Sequence, residues 1–448
     1  MSLKNAETIF EHQEIKWSKI SNQSQAKKAL EWFDKKQNFK PFKYTADGIK
    51  AKQYVGVISL GGQLVQVLPK VFSADRSASE DEKPNEESIK TNITGLMYLL
   101  QLTKKLKFKE VELAKLCKHT DSMLEIFIKL FADNLLELLQ NDYRRNYVSQ
   151  EDNLKFVKGK INFTKHLLHN YIDKSKLYCN YDEYESNILL NQLLKATVKK
   201  CISTTKSSFG ILQKCDQLLS DVDTKRFNNP NICERVKFTR LNQKYEYVFN
   251  LAKLLLFGHS PKLSNNDNHT FSIMFDMNEL FEKAIFEILK SNKDDFGITT
   301  IQAQKPQKTI FDKDSVANFT MKPDIYIEKK DGSKIIIDTK YKLIERIRSD
   351  YKSSQKQVSQ RDVYQMFAYS QYYKTERCIL LYPQFESVIE NKQLKTLKAK
   401  LPDFTLQIST LDLHLNGSSD FKEFVASLKD KISEVVKPIS KQDLILQN

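Results

Sequence analysis

Met321-Lys322-Pro323-Asp324-Ile325-Tyr326-Ile327-Glu328 and Lys334-Ile335-Ile336-Ile337-Asp338-Thr339-Lys340 flank Lys329-Lys330-Asp331-Gly332-Ser333. Asp-Gly between two strand-like runs is a strong hairpin signal, because the tight turn needs residues that tolerate positive φ. Folding the chain about Asp331-Gly332 brings Asp324 opposite Asp338, or one residue off. Side chains alternate along a strand, so Asp338 and Lys340 share a face. Two carboxylates and one ammonium therefore meet at the end of a hairpin whose Ile335-Ile336-Ile337 run reads as buried. Charges in such a place are costly unless they pair or hold a metal.

Moving outward, Met277 to Leu289 has helical periodicity, with Asp276 as a plausible N-cap. Its apolar arc centres on Phe281, Ala284, Ile285 and Ile288. Glu279 projects to solvent and Glu282 lies on the shoulder of the arc. After the hairpin, Arg346 to Arg361 is basic, without an apolar period, and reads as a mobile or substrate-facing loop. Asp362 to Tyr373 reads as a helix, on which Gln365 and Tyr369 stand one turn apart. Arg377 to Pro383 and Phe404 to Leu413 read as strands. The order helix, hairpin, helix, strand, strand, helix predicts an α/β sandwich around a small mixed sheet. This region, residues 270–448, is the third of three expected domains.

The first, residues 1–75, reads as β-rich. Tyr54 to Leu60 and Gln63 to Leu68 form a second hairpin about Gly61-Gly62, closed by Pro69. Ala26 to Phe33 reads as a short helix. Residues 74–90 are polar and acidic and read as a linker or exposed loop. The second domain, residues 90–262, reads as mainly helical, with apolar residues at helical spacing from Leu96 through Leu256. Within it Lys158-Gly159-Lys160 reads as a basic turn able to approach a phosphate backbone, or as an ordinary surface turn. Leu263 to His269 marks the next boundary. The fold class is thus α/β in the multidomain α+β sense.

At 448 residues, 40% hydrophobic and 28% charged, the chain reads as soluble and globular. No run approaches the roughly 18 apolar residues of a membrane span, and no signal-peptide core opens the chain, so a cytoplasmic location is expected. A net charge of +15 favours a polyanionic partner, unless it is only a surface of solvated lysines. None of the six cysteines forms a Cys-x-x-Cys pair, so neither a zinc site nor a disulfide framework is indicated. There is no Gly-x-x-x-x-Gly-Lys-[Ser/Thr] loop, so any nucleotide-driven step belongs to another chain.

Hard oxygen donors from Asp324, Asp338 and the Thr339 carbonyl suit Mg²⁺, with Mn²⁺ as a substitute and Glu282 able to complete the set. Lys340 would orient the nucleophile or stabilise charge on a scissile phosphate. Gln365 and Tyr369 could hold a water or the DNA backbone. The bland alternatives are a cross-strand salt bridge, a helix-surface Glu and a core Tyr.

This set resembles the PD-(D/E)xK nuclease superfamily. More narrowly, the chain is similar to the McrC family, nuclease subunits of McrBC-type modification-dependent restriction systems. Val57 to Gly61 with Leu68-Pro69-Lys70, Gly159-Lys160, Tyr181 to Tyr184 with Asn191, and Met277 to Glu282 carry the likeness in family order. Lys158-Gly159-Lys160 departs from it, standing where an Arg-Gly-Arg-like segment is expected, which keeps charge but weakens bidentate phosphate contact. The resemblance implies a Mg²⁺-dependent DNA endonuclease with Asp324, Asp338, Lys340, Glu282 and Gln365 catalytic. It also implies a McrB-like AAA+ GTPase hexamer as partner, docked by the β-rich residues 1–75, and recognition of the modified base by that partner. A non-catalytic DNA-binding adaptor that activates a AAA+ NTPase, and a stand-alone RecB-like repair nuclease, are the competing readings.

Overall fold

The computed structural model describes residues 7–36, 40–73, 85–106, 116, 120, 122–205, 207–257, 272–304, 308–309, 320–342, 358–385, 393–398, 405–415 and 420–437. It is a mixed α/β protein with several sheets. By contact its residues group into two units, one formed by Ser122–Ile273 and one by Glu7–Asp121 with Met274–Asn448. The N-terminal strands thus share a unit with the C-terminal sheet. Among the described residues no helix is long and apolar enough to cross a membrane.

The Asp-Gly hairpin forms the second and third strands of a six-stranded sheet. Its order is Ile298–Ala303, Ile325–Lys329, Lys334–Thr339, Arg377–Pro383, Thr405–Leu411, Gln393–Lys398. The hairpin pairs Ile325 with Ile337, Tyr326 with Ile336, Ile327 with Ile335 and Glu328 with Lys334. Continued by one step, that register sets Asp324 against Asp338. Gly332 takes φ +82°, the left-handed conformation that the turn requires. Lys334–Thr339 runs parallel to Arg377–Pro383, and the helix Gln360–Tyr373 makes the crossover between them. That helix buries Met366 and Tyr369 against Tyr326, Ile336, Cys378, Leu380, Tyr382, Leu406 and Ile408. Continuous apolar strands and a period-3.6 helix give this layer its core. The strands Ile298–Ala303 and Gln393–Lys398 widen the sheet beyond the sequence expectation. The helix Met277–Ser291 begins where expected, with the Asp276 carboxylate accepting from the Asn278 N–H at 2.9 Å.

In the same unit a four-stranded sheet has the order Glu7–Phe10, Gln63–Leu68, Tyr54–Leu60, Ser272–Asp276. The Gly-Gly hairpin forms as read, with Gly56 opposite Val67 and Leu60 opposite Gln63. A small sheet of Glu14–Lys16, Gly48–Ala51 and Phe42–Tyr44 shares a core with it through Ile15, Ile49, Ile58, Leu60 and Val65. Gly61 is demanding: its φ is +58°, and a Cβ would lie 2.3 Å from the Asn22 carbonyl oxygen. Gly61→Ala is therefore expected to destabilise this unit by about 1–3 kcal/mol, from strain plus clash. A melting curve unchanged from wild type would show that the turn has another way to relax.

The bounds of three helices shift. Residues 86–90, read as part of a linker, are the first turn of the helix Glu86–Leu102, capped by the Asn85 side chain accepting from the Ser88 N–H. Glu86 and Glu87 favour a helix N-terminus through the backbone dipole, and their acidic composition mimics a solvated loop. Residues 74–84 lie outside the described set, as do the boundary segment 263–269 and residues 346–357 of the basic run. The helix after that run starts at Gln360, two residues early. The short helix read over Ala26 to Phe33 extends over Gln23–Lys36.

The other unit packs the helices Met123–Asn141, Leu189–Ile202, Phe209–Leu218 and Glu246–Phe257 together. It also holds a sheet that a mainly helical reading does not contain. Asn146–Leu154 and Leu177–Glu185 pair antiparallel over nine residues each, with Lys160–Ile161 added on the far side. Apart from the buried Cys179 these strands are half-buried or exposed and rich in polar residues, so their sequences lack the apolar alternation by which a half-buried strand is recognised. Five cysteines, Cys179, Cys201, Cys215, Cys233 and Cys378, are free and buried.

Candidate active site

The open end of the Asp-Gly hairpin gathers the charge. Asp324 Oδ2 accepts from both the Thr339 N–H and the Thr339 hydroxyl, each at 2.8 Å. Those two bonds pin one carboxylate across the hairpin. Thr339, expected as a carbonyl ligand, thus also orients Asp324. Asp338 is 1% exposed. The Lys340 ammonium contacts its Oδ2. Neither oxygen accepts a well-formed hydrogen bond from the described residues. Burial, then the negative charge of Asp324, pushes the Asp338 carboxyl up to about 7, against the pull of Lys340. For Lys340 desolvation opposes the charge, but Asp338, with Asp324 and Asp362, overrides it and holds the ammonium protonated. A buried carboxylate short of donors costs the fold stability, which marks it as a candidate for function.

Glu282 arrives from the helix Met277–Ser291. Burial and then the Asp324 charge raise it to about 7, with Asp338 adding to the effect. Gln304 bridges the two elements: its side-chain amide donates to Glu282 Oε1 at 3.1 Å and its backbone N–H to the Asp324 carbonyl at 2.8 Å. Glu282, Asp324 and Asp338 therefore sense one another's charge. Among the described residues no three His, Cys, Asp or Glu side chains close into a ready-made metal cage. The site is an open set of hard oxygens whose mutual repulsion a cation would relieve. That fits Mg²⁺, which keeps several waters and takes one or two carboxylates from the protein.

The crossover helix supports this end of the hairpin from behind. The Gln365 amide donates to the Tyr369 hydroxyl at 2.8 Å, and that hydroxyl donates to the Lys322 carbonyl at 3.0 Å. Tyr373 does the same for the Met321 carbonyl at 3.0 Å. Tyr369, expected at the DNA backbone, is 5% exposed. It instead fixes Lys322, which leads through Pro323 into Asp324, since its ring belongs to the apolar layer under the helix.

The expected site residues Glu282, Asp324, Asp338, Thr339, Lys340, Gln365 and Tyr369 all lie in one unit, and Lys158 and Lys160 lie in the other. Lys158 sits 4.0 Å over the Tyr181 ring and pairs with Glu183 at 3.2 Å. Lys160 is exposed. Sequence reasoning missed Gln304 and Asp362. Asp362 is buried, pairs with Lys342 at 2.5 Å, and adds to the charge that raises Asp338. In the sequence it reads as an ordinary first-turn helix acid. Gln304 carries no local signal, because its partners are 22 and 20 residues away in the chain.

Comparisons with known proteins agree with one another. The family model described as McrBC 5-methylcytosine restriction system component matches residues 49–383. The type IV methyl-directed restriction enzyme EcoKMcrBC of Escherichia coli (strain K12) is 21% identical over 306 residues, spanning 65% of this chain and 84% of that protein. A chain of the refined half-complex from the tetradecameric assembly of Thermococcus gammatolerans McrB AAA+ hexamers with bound McrC shares the fold. Its TM-score is 0.71 at 22% identity, over 95% of this chain and 100% of that one. A chain of the Thermococcus gammatolerans McrBC complex gives a TM-score of 0.50 at 25% identity, over 64% of this chain and 88% of that one.

Proposed function

This chain belongs to the McrBC 5-methylcytosine restriction system component family, and from that premise we propose that it is the DNA-cutting subunit of such a system. The observation that carries the reading is Asp338: a buried carboxylate short of donors, set across a hairpin from Asp324, with Lys340 on its own face. We read the C-terminal sheet and its helices as a PD-(D/E)xK-type nuclease. Asp324 and Asp338 would hold Mg²⁺, or Mn²⁺ in its place, with Glu282 able to complete the set. When bound, the cation supplies charge neutralisation at a scissile phosphate and a more acidic water. Lys340 brings its ammonium to the phosphate side of Asp338 and stabilises negative charge developing there. Gln304 holds Glu282 against Asp324. Gln365 and Tyr369 hold the backbone entering Asp324, so that the carboxylates keep their spacing.

The solved relatives include McrB AAA+ hexamers with bound McrC. We propose a McrB-like AAA+ GTPase ring as this chain's partner and methylated DNA as its substrate. Residues 1–75 were the expected docking segment, but their large apolar side chains mostly serve a packed core. In the other unit, Phe163, Leu167, Leu168, Tyr171 and Ile172 are exposed together on one short stretch, Leu168 to 76% and Ile172 to 94%. Apolar side chains presented in that number mark an interaction surface. We assign ring docking to them, with Lys158 and Lys160 nearby in sequence as the basic contribution.

Divalent-ion binding tests the nuclease reading without needing the partner. Asp338 and Glu282 both release their protons near pH 7. Below that pH they are neutral and a cation must displace protons. Calorimetric titration with Mn²⁺ should thus give affinity about tenfold tighter at pH 8 than at pH 6 for each carboxyl that must deprotonate. Cleavage of methylated DNA with the partner ring and nucleotide should vanish in chelator. Equal affinity at the two pH values, or cutting in chelator, would remove the metal from the proposal.

A further inference from the structure

We propose that Glu11 is a positioning residue for the cleavage centre, acting through the hydroxyl of Tyr341. The proposal deepens the nuclease reading above and rests on it. Glu11 and Tyr341 are 330 residues apart, yet the Tyr341 hydroxyl donates to Glu11 Oε1 at 2.8 Å. The same oxygen accepts from the Lys70 N–H at 2.8 Å. Glu11 is 0% exposed, and its Oε2 has no hydrogen-bond partner among the described residues.

The backbone around Glu11 is held on both sides. Its own N–H donates to the Leu68 carbonyl at 2.8 Å, and the His12 N–H donates to the Ala51 carbonyl at 3.2 Å. His12 takes φ +65°, a conformation that costs a residue with a Cβ. The fold therefore spends strain and a buried, half-satisfied carboxyl to bring one acceptor to one hydroxyl. An apolar side chain would pack the same space at less cost to stability.

The hydroxyl so fixed belongs to the residue directly after Lys340. The Tyr341 ring stands edge-on to Phe281, next to Glu282 on its helix, with centroids 6.0 Å apart, and to Phe385 at 5.6 Å. The Lys340 N–H is donated to the Leu381 carbonyl at 2.9 Å. Glu11 therefore locks the segment that carries the ammonium on Asp338 and presses on the helix that carries Glu282. Catalytic groups are sensitive to displacements of about 1 Å, which can cost of order a hundredfold in rate. A link that adjusts position without touching substrate should change turnover and leave DNA binding alone.

The test is a double-mutant cycle in the full chain, with a McrB-like ring, nucleotide, Mg²⁺ and methylated DNA. Tyr341→Phe and Glu11→Ala should each lower kcat for cutting about tenfold, with KM for DNA and the ring's stimulated nucleotide hydrolysis unchanged. The double variant should be no slower than the slower single one, because both remove the same link. Glu11→Gln keeps an oxygen that accepts from both donors and should recover most of the rate. Tyr341→Phe preserves volume and ring packing, and melting curves of both single variants separate a loss of rate from a loss of fold. Wild-type cutting by Tyr341→Phe, multiplying effects in the double variant, or Glu11→Gln as slow as Glu11→Ala would each overturn the proposal. A wild-type chain that does not cut at all overturns the nuclease reading and this inference with it.

Discussion

Asp338→Asn is expected to lower DNA cleavage by at least about a thousandfold while making the metal-free protein more stable above pH 7. The loss follows from removing a charge that both the cation and Lys340 would use, an effect on the scale of deleting a central catalytic group. The gain in stability follows from the environment of Asp338. Its carboxyl is 1% exposed, lacks well-formed donors and faces the charge of Asp324. Because burial raises it to about 7, folding favours the protonated form, and the stability this provides is lost as pH rises through 7. Asn has no proton to lose there. The difference in melting temperature between variant and wild type should therefore grow from pH 6 to pH 8. About 1–3 kcal/mol at the upper end would correspond to several degrees. Melting in chelator and a cleavage assay with the partner ring measure the two halves. Retained cutting would remove Asp338 from the centre. A variant that melts well below wild type at pH 8 would mean that the Asp338–Lys340 pair is a structural salt bridge.

Leu168→Asp combined with Ile172→Asp is expected to weaken binding to a McrB-like ring about thirtyfold or more, which is the cost of losing a central apolar anchor in an interface. Both side chains are exposed, so the substitutions should leave the melting temperature within about half a degree to a degree of wild type. Stimulated nucleotide hydrolysis should fall in parallel, and DNA cutting should fall with it. Mn²⁺ affinity at the hairpin, in the other unit, should stay unchanged. The matched pair Tyr44→Asp and Lys43→Asp on the N-terminal sheet gives the contrasting measurement. If those abolish ring binding and the first pair does not, docking belongs to residues 1–75 as the resemblance implied.

The hairpin was legible because every signal for it is local. Asp331-Gly332 specifies the turn, and the short loop it closes sets the register of Ile325–Lys329 against Lys334–Thr339. A shift by one residue would have put Asp324 and Asp338 on opposite faces of the sheet. The pairing of Glu282 with the hairpin was also foreseeable, because a carboxylate on the shoulder of an amphipathic arc has few places to go. The nine-residue strands Asn146–Leu154 and Leu177–Glu185 were not, because they are polar and mostly half-buried or exposed, and the period-2 signal depends on one face being apolar. Tyr369 was placed on the right helix face but at the wrong depth. An aromatic residue one turn from Gln365 reads the same whether its hydroxyl meets DNA or the Lys322 carbonyl.

Local sequence by itself determined the two glycine hairpins, the capped helix Met277–Ser291 and the juxtaposition of Asp324, Asp338 and Lys340, since each depends on contacts within about 15 residues. Only the tertiary structure decided that Glu11 would reach Tyr341, that Gln304 would span from Glu282 to Asp324, and that Asp338 would be buried short of donors. Those outcomes depend on which distant elements exclude water from which atoms. Periodicity and turn chemistry carry no record of that, because desolvation is a property of the assembled core rather than of any one segment.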